Sequence, residues 1–114
     1  MKLIVAIVRP FKLTALVDAI GPEAGFPGMT VMECRGFGRE KSAPHIHTAE
    51  EDLHDFAEGV AVVVATPDDD VERVQETIRR VAHTGRPGDG KLFVLPLEDA
   101  VRIATGERLD AALR

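Results

Sequence analysis

The sequence predicts an α+β domain in which two helices cover one face of a four-stranded antiparallel sheet. Three observations support this class. Two continuous apolar runs, residues 3–8 and 60–65, are typical of strands in the middle of a sheet. Each run ends at a proline-containing boundary and is followed by apolar residues at helical spacing. Two further stretches, residues 29–37 and 92–95, supply the outer strands.

The first helix is predicted after Arg9-Pro10, and Gly21-Pro22 ends it. Its buried side is formed by five apolar residues at helical spacing: Phe11, Leu13, Leu16, Val17 and Ile20. Residues 29–37 alternate in polarity, which indicates the second strand. Cys34 on that strand is interpreted as a buried structural thiol.

A long polar stretch follows, from Arg39 to about Glu58. A capping-box pattern at residues 48–51 predicts one short helix through Phe56. The rest is predicted to be a long loop. Loops beyond about 12–15 residues in a compact domain usually carry function.

The second half repeats the strand–helix–strand order. Residues 66–70 (TPDDD) suit a helix start, because acidic side chains face the positive end of the helix. A buried stripe follows at Val71, Val74, Ile78 and Val81. A further short helix is predicted from residue 97 to about 103. The order β-α-β-β-α-β predicts a ferredoxin-like sandwich whose second sheet face is covered by another subunit.

The composition fits one domain of 114 residues. A net charge of −5 argues against sequence-independent nucleic-acid binding, which needs a basic surface. Cys34 is the only cysteine, so no intrachain disulfide can form, and a reducing cytoplasm is expected. No window approaches the roughly 20 apolar residues of a membrane span.

The stretch 84–91 (TGRPGDGK), here called the glycine loop, is the main candidate binding motif. Glycines let backbone N–H groups approach a ligand, and Lys91 adds a positive charge. Phosphate is the expected guest. The alternative is a plain helix-to-strand connection, with Gly85 as C-cap, Pro87 ending the helix and residues 88–90 as a turn.

Four segments together resemble the PII nitrogen-regulatory signal-transduction proteins. They cover nearly the whole chain in order: residues 1–13, 28–39, 84–94 and 102–107. The resemblance implies a single PII-like domain over residues 1–114 that assembles as a homotrimer. It also implies adenine nucleotides bound in clefts between subunits and a long T-loop, at about 39–58, that contacts a protein partner such as a membrane transporter or a metabolic enzyme.

The resemblance also implies site residues. Those expected at the nucleotide are Thr30, Gly38, Arg39, Ala65, Gly88, Asp89, Gly90, Lys91 and Arg102. Those expected at the partner surface of the T-loop are Glu40, Lys41, His45, His47 and Asp52.

Four positions depart from the family pattern. The chain has no tyrosine, and Asp52 lies near the place of the uridylylated one, so that covalent switch is excluded. Glu40 replaces a glutamine and Gly59 a lysine that help to hold 2-oxoglutarate, so the response to this ligand is expected to be lost. Ala104 replaces an arginine at the phosphates, which favours ADP or AMP over ATP.

The histidines support an alternative function. His45 and His47 share one side of an extended segment, while His47, Glu51 and His54 share one side of a helix. Both patterns suit Zn²⁺, Cu²⁺ or Ni²⁺, and hence a metal-binding or metal-tolerance protein. A solvated polar loop with incidental histidines explains the same residues.

No ordered catalytic triad or rigid carboxylate pair stands out, so the chain is predicted not to be an enzyme. A nucleotide-hydrolysing enzyme is the third hypothesis, although no general base is identifiable. The leading hypothesis is a cytoplasmic regulatory protein that senses ADP, AMP or ATP and signals through its T-loop, with no obligatory cofactor.

Overall fold

The computed structural model describes residues 1–21, 28–37 and 56–114. The strands within them are β1 (Lys2–Val8), β2 (Thr30–Gly36), β3 (Ala57–Thr66) and β4 (Lys91–Pro96). The α-helices within them are α1 (Leu13–Ile20), α2 (Val71–Ala82) and α3 (Asp110–Leu113). Every strand pairing is antiparallel, in the order β2-β3-β1-β4. A four-stranded antiparallel sheet with two main helices confirms the predicted ferredoxin-like class.

The hydrophobic core lies between α1, α2 and one face of the sheet. Side chains alternate between the two faces of a strand, so every second residue of β1 and β3 enters this core. The sheet contributes Ile4, Ala6, Val8, Val60, Val62 and Val64, and the helices contribute Leu16, Ile20, Val74, Ile78 and Ala82. The two central strands thereby fix the position of both helices.

The opposite sheet face, here called the open face, is also apolar. The register places Val5, Val63 and Phe93 in one row across it, with Leu3 and Leu95 in the next. Phe93 is 51% exposed and Leu95 is 44% exposed. A single subunit therefore leaves a large hydrophobic surface uncovered, which favours packing against another subunit.

Both main helices are preceded by a short 3-10 turn, over Pro10–Lys12 and Asp68–Asp70. Phe11 lies in the first turn and is 69% exposed, and Val17 is 45% exposed, so the predicted place of both residues in the buried helix stripe is wrong. Leu16 and Ile20 do lie in the core. Cys34 was predicted to be buried, but it is only half-buried because β2 is an edge strand.

The predicted helix from 97 to about 103 is wrong. The N–H of Leu97 donates to the carbonyl of Met1 at 3.2 Å, which keeps the chain extended beyond β4. Val101 and Arg108 then form an isolated antiparallel bridge, closed by a turn. Asp99 pairs with Arg108 instead of capping a helix. Strand β3 begins at Ala57, so residues 57 and 58, assigned to the long loop, belong to the sheet.

No helix in the described parts of the chain is long and apolar enough to cross a membrane.

Candidate phosphate-binding site

The glycine loop connects the end of α2 to the start of β4. His83, which ends α2, already has an extended backbone, so the chain turns away from the helix before Gly85. At the other end, Gly90 has a φ of +102°. A Cβ at Gly90 would overlap the carbonyl oxygen of Ile7. Only glycine therefore lets the loop lie directly against the end of β1.

The carboxylate of Asp89 closes the loop from inside. It accepts hydrogen bonds from the Thr84 hydroxyl, from the Thr84 N–H at 2.7 Å and from the Gly85 N–H at 3.1 Å. These bonds, led by the one from the Thr84 hydroxyl, hold the pKa of Asp89 well below its usual range. Asp89 was predicted to meet the nucleotide, but in this structure its carboxylate is occupied by the loop itself.

Arg9 holds the closed loop against the sheet. Its Nε donates to Asp89 at 3.1 Å, and its Nη2 donates to the carbonyl oxygen of Pro87 at 2.5 Å. Sequence reasoning missed this residue. The sequence places the basic side chain of Arg9 directly after a buried strand. It does not show that the partner of Arg9, Asp89, lies 80 positions further along the chain.

Lys91 is exposed and opens β4, opposite Ile7. It is thus both the last residue of the glycine loop and the first residue of β4. Lys91 lies together with Gly88, Asp89 and Gly90 at the end of the sheet where β1 ends and β4 begins. This end of the sheet is here called the loop end.

Thr30 and Ala65 do not join that group within one chain. Ala65 lies four residues along β3 from Ala61, which shares a row with Ile7 and Lys91, a distance of roughly 13 Å at about 3.3 Å per residue. Thr30 lies on the edge strand β2, whereas Lys91 lies on the opposite edge strand β4. Three strand spacings, roughly 14 Å, separate these two strands.

Arg102 also lies apart from the glycine loop. Its Nη2 donates to the carbonyl oxygens of Ala112 and Arg114, and its Nε is 3.6 Å from a Glu107 carboxylate oxygen. The Nε is buried without a hydrogen-bond partner among the described residues. No described contact joins Arg102 to residues 84–91. Ala104 lies exposed in the turn of the same hairpin.

Gly59 pairs with Cys34 across the sheet. A Cβ at Gly59 would lie 3.3 Å from the Cys34 sulfur and 3.6 Å from the side chain of Ile7. Any side chain at position 59 would therefore lie in close contact with the Cys34 thiol.

Eight predicted residues lie outside the described ranges: Gly38, Arg39, Glu40, Lys41, His45, His47, Asp52 and His54. The histidine metal site and the helix through Phe56 therefore stay predictions. Within the described residues, no group of three or more His, Cys, Asp or Glu side chains could hold a metal ion.

A separate cleft of about 530 Å³ lies between α2 and β4, lined by Glu72, Gln75, Glu76, Arg79 and Leu92. Its two carboxylates disfavour a phosphate. The glycine loop is thus the better candidate.

Comparison with known proteins shows the family of the chain. Residues 1–107 match the family model described as Nitrogen regulatory protein P-II. The chain is 47% identical over 108 residues to the Nitrogen regulatory protein P-II of Azospirillum brasilense, covering 95% of this chain and 96% of that protein. It is 47% identical over 112 residues to the protein of that name from Bradyrhizobium diazoefficiens, covering 97% and 99%.

The Nitrogen regulatory protein P-II 1 of Escherichia coli K12 is 44% identical over 113 residues, covering 99% of this chain and all of that protein. These matches confirm the resemblance seen in the sequence. The chain therefore belongs to the P-II nitrogen regulatory family, whose members are regulatory signal transducers and not enzymes.

Proposed function

We propose that this protein is a cytoplasmic, homotrimeric signal transducer that binds ADP, AMP or ATP between subunits and controls a partner protein through residues 39–58. The observation that carries this proposal is the glycine loop, which is closed by Asp89 and held against β1 by Arg9.

The loop suits a phosphate because its own carboxylate is already hydrogen-bonded within the loop and paired with Arg9. Asp89 uses the N–H groups of Thr84 and Gly85, and the N–H of Arg86 is taken by the Thr84 hydroxyl at 3.1 Å. Among the described residues, these loop-closing bonds use none of the N–H groups of residues 88–90, which lie next to Lys91. Backbone donors beside a lysine form the usual environment of a bound phosphate.

Two features support a site shared between subunits. Thr30 and Ala65 lie too far from Lys91 to touch one phosphate with it in one chain, so a neighbouring copy must supply them if they take part. The open face gives such a copy a surface to pack on, with Phe93 half-exposed. A homotrimer brings these two groups together across each cleft.

The antiparallel sheet indicates how a bound nucleotide could affect the segment that contacts the partner. Gly36 and Ala57 are paired, and they flank residues 37–56. The pair lies beyond the loop end, on the same side of the sheet, because Ala57 is four residues, roughly 13 Å, along β3 from Ala61, which shares a row with Ile7 and Lys91. A nucleotide at the glycine loop is therefore placed where it can bias the conformation of the intervening segment. It does so only if it binds two states of that segment differently.

Titration calorimetry of ADP, AMP and ATP tests the proposal. We expect ADP or AMP to bind at least as tightly as ATP, because Ala104 leaves one cation fewer for the terminal phosphate. Lys91→Ala should weaken all three.

The matched control is Arg79→Ala, which also removes one positive charge but whose side chain pairs with Glu76 on α2. Micromolar ATP binding with tenfold weaker ADP binding would contradict the nucleotide preference. Absence of any adenylate binding would contradict the proposed function.

A further inference from the structure

The side chain of Arg9 lies against the glycine loop at residues 87–89. It donates to Asp89 and to Pro87, and its Nη2 lies 3.3 Å from the position that a Cβ would occupy on Gly88. Gly88 has a φ of +91°, a conformation that residues with a side chain rarely adopt. The guanidinium therefore lies against the bend on which the loop's shape depends.

Arg9 itself is held firmly. Its carbonyl oxygen accepts a hydrogen bond from the N–H of Lys12 at 3.0 Å, at the start of the Pro10–Lys12 turn. Pro10 fixes the following φ, and Val8 is paired within the sheet. Because the backbone on both sides of Arg9 is fixed, its side chain can hold the glycine loop in one position.

We propose that Arg9 is the positioning residue of the glycine loop and acts on a bound phosphate only through Asp89 and Pro87. The part of this proposal that concerns phosphate rests on the proposed function. The effect of Arg9 on the shape of the loop does not depend on that function. Arg9 orients the carboxylate that holds the first half of the loop, and it fixes the carbonyl that precedes Gly88. Arg9 thereby sets the course of the backbone through residues 87–89.

The geometry requires arginine. A planar guanidinium donates from Nε and Nη2 in two fixed directions, here to a carboxylate and to a carbonyl. A lysine ammonium retains the charge but lacks this fork. Arg9→Lys therefore removes the two directed hydrogen bonds but keeps the positive charge and most of the aliphatic part of the side chain.

The first test is made on the protein without ligand. In Arg9→Lys, NMR-detected hydrogen exchange of the Thr84 and Gly85 amides should accelerate at least fivefold, since the Asp89 carboxylate that accepts their hydrogens is no longer held. Arg79→Lys is the control and should leave both rates unchanged. Unchanged exchange in Arg9→Lys overturns the proposal, whether or not the protein binds nucleotides.

The second test asks whether Arg9 acts through Asp89. Arg9→Lys should reduce the affinity for ADP and AMP by the same factor, roughly tenfold for one lost hydrogen bond to a charged group. In an Asp89→Ala background the same substitution should reduce the affinity for ADP and AMP less than twofold, because the Arg9 side chain has then already lost its contact with the carboxylate.

Full, additive losses in the double variant, or a loss that grows with the number of phosphates, would show that Arg9 contacts the ligand directly, and they overturn the proposal. A wild-type protein that binds no adenylate but shows the exchange effect refutes the proposed function alone.

Discussion

Gly90 lies against the carbonyl oxygen of Ile7, so close that no side chain fits between them. This contact joins the glycine loop to the central strand at the point where β4 begins. The backbone of Gly90 also has a positive φ, so two independent constraints select glycine at one position.

Gly90→Ala should therefore destabilise the fold and abolish adenylate binding. The positive φ alone costs about 1–3 kcal/mol, and the overlap with Ile7 adds to it by displacing the loop. Urea denaturation gives the free energy of unfolding. Gly106→Ala is the matched control, because Gly106 also has a positive φ but has open space around the position of a Cβ. Equal losses in the two variants would show that the contact with Ile7 does not matter.

Asp89 gives the loop a defined dependence on pH. Its pKa is lowered in the folded protein, chiefly by the Thr84 hydroxyl, so the ionised carboxylate is favoured by folding. That contribution is fully present above the unfolded pKa of about 3.9 and is lost as the pH falls towards the lower folded value. Carbon-13 NMR should therefore show Asp89 still ionised at pH 3. A midpoint near 4 would mean that the hydrogen bonds to Thr84 are not maintained in solution.

We predict no useful response to 2-oxoglutarate. Replacing the expected lysine by Gly59 removes a charge-assisted contact that typically contributes about 1.5–3 kcal/mol, and Glu40 adds repulsion. Calorimetry in the presence of Mg-ATP should show no saturation below about 100 μM, a threshold equivalent to about 5 kcal/mol of binding free energy. Saturable binding below that concentration would refute this prediction.

The restoring variant needs a third change. Glu40→Gln with Gly59→Lys supplies the missing groups, but a Cβ at position 59 lies 3.3 Å from the Cys34 sulfur. Adding Cys34→Ala removes that close contact. The triple variant should bind 2-oxoglutarate more tightly than the double variant. No gain in either would show that the cleft differs at other residues.

The open face should govern assembly. Phe93→Asp places a charge in the middle of an apolar surface and should convert the oligomer into monomers, since an unpaired carboxylate is costly to bury. Val17→Asp is the control, because Val17 is similarly exposed but lies on α1, away from the open face. Light scattering after size-exclusion chromatography reports the mass of both. An intact oligomer in Phe93→Asp would place the interface elsewhere.

The sequence was a good guide where local patterns decide the structure. The strands β1 and β3 follow from continuous apolar runs, and α2 follows from its stripe of Val74 and Ile78. It failed at residues 97–103, because the role of Asp99 depends on Arg108, which local helix signals do not consider.

The residues of the candidate site likewise form two groups, those that the sequence order reveals and those that depend on the pairing of distant strands. Gly88, Gly90 and Lys91 were recognisable from their order along the chain. The internal role of Asp89 and the contribution of Arg9 were not, since both depend on the register that brings the end of β1 to the start of β4. Position within a motif does not distinguish a residue that would hold the ligand from one that holds the loop.

The central place of β1 also constrains how this protein folds during synthesis. The first strand made pairs on both sides with strands made much later, and Arg9 meets Asp89 only across 80 positions of chain. Such non-local pairing makes folding slow compared with a helical bundle of the same size. A nascent chain thus cannot form the proposed nucleotide site until its last strand is in place. At that proposed site, adenylates would stabilise the finished protein but would not guide its early folding.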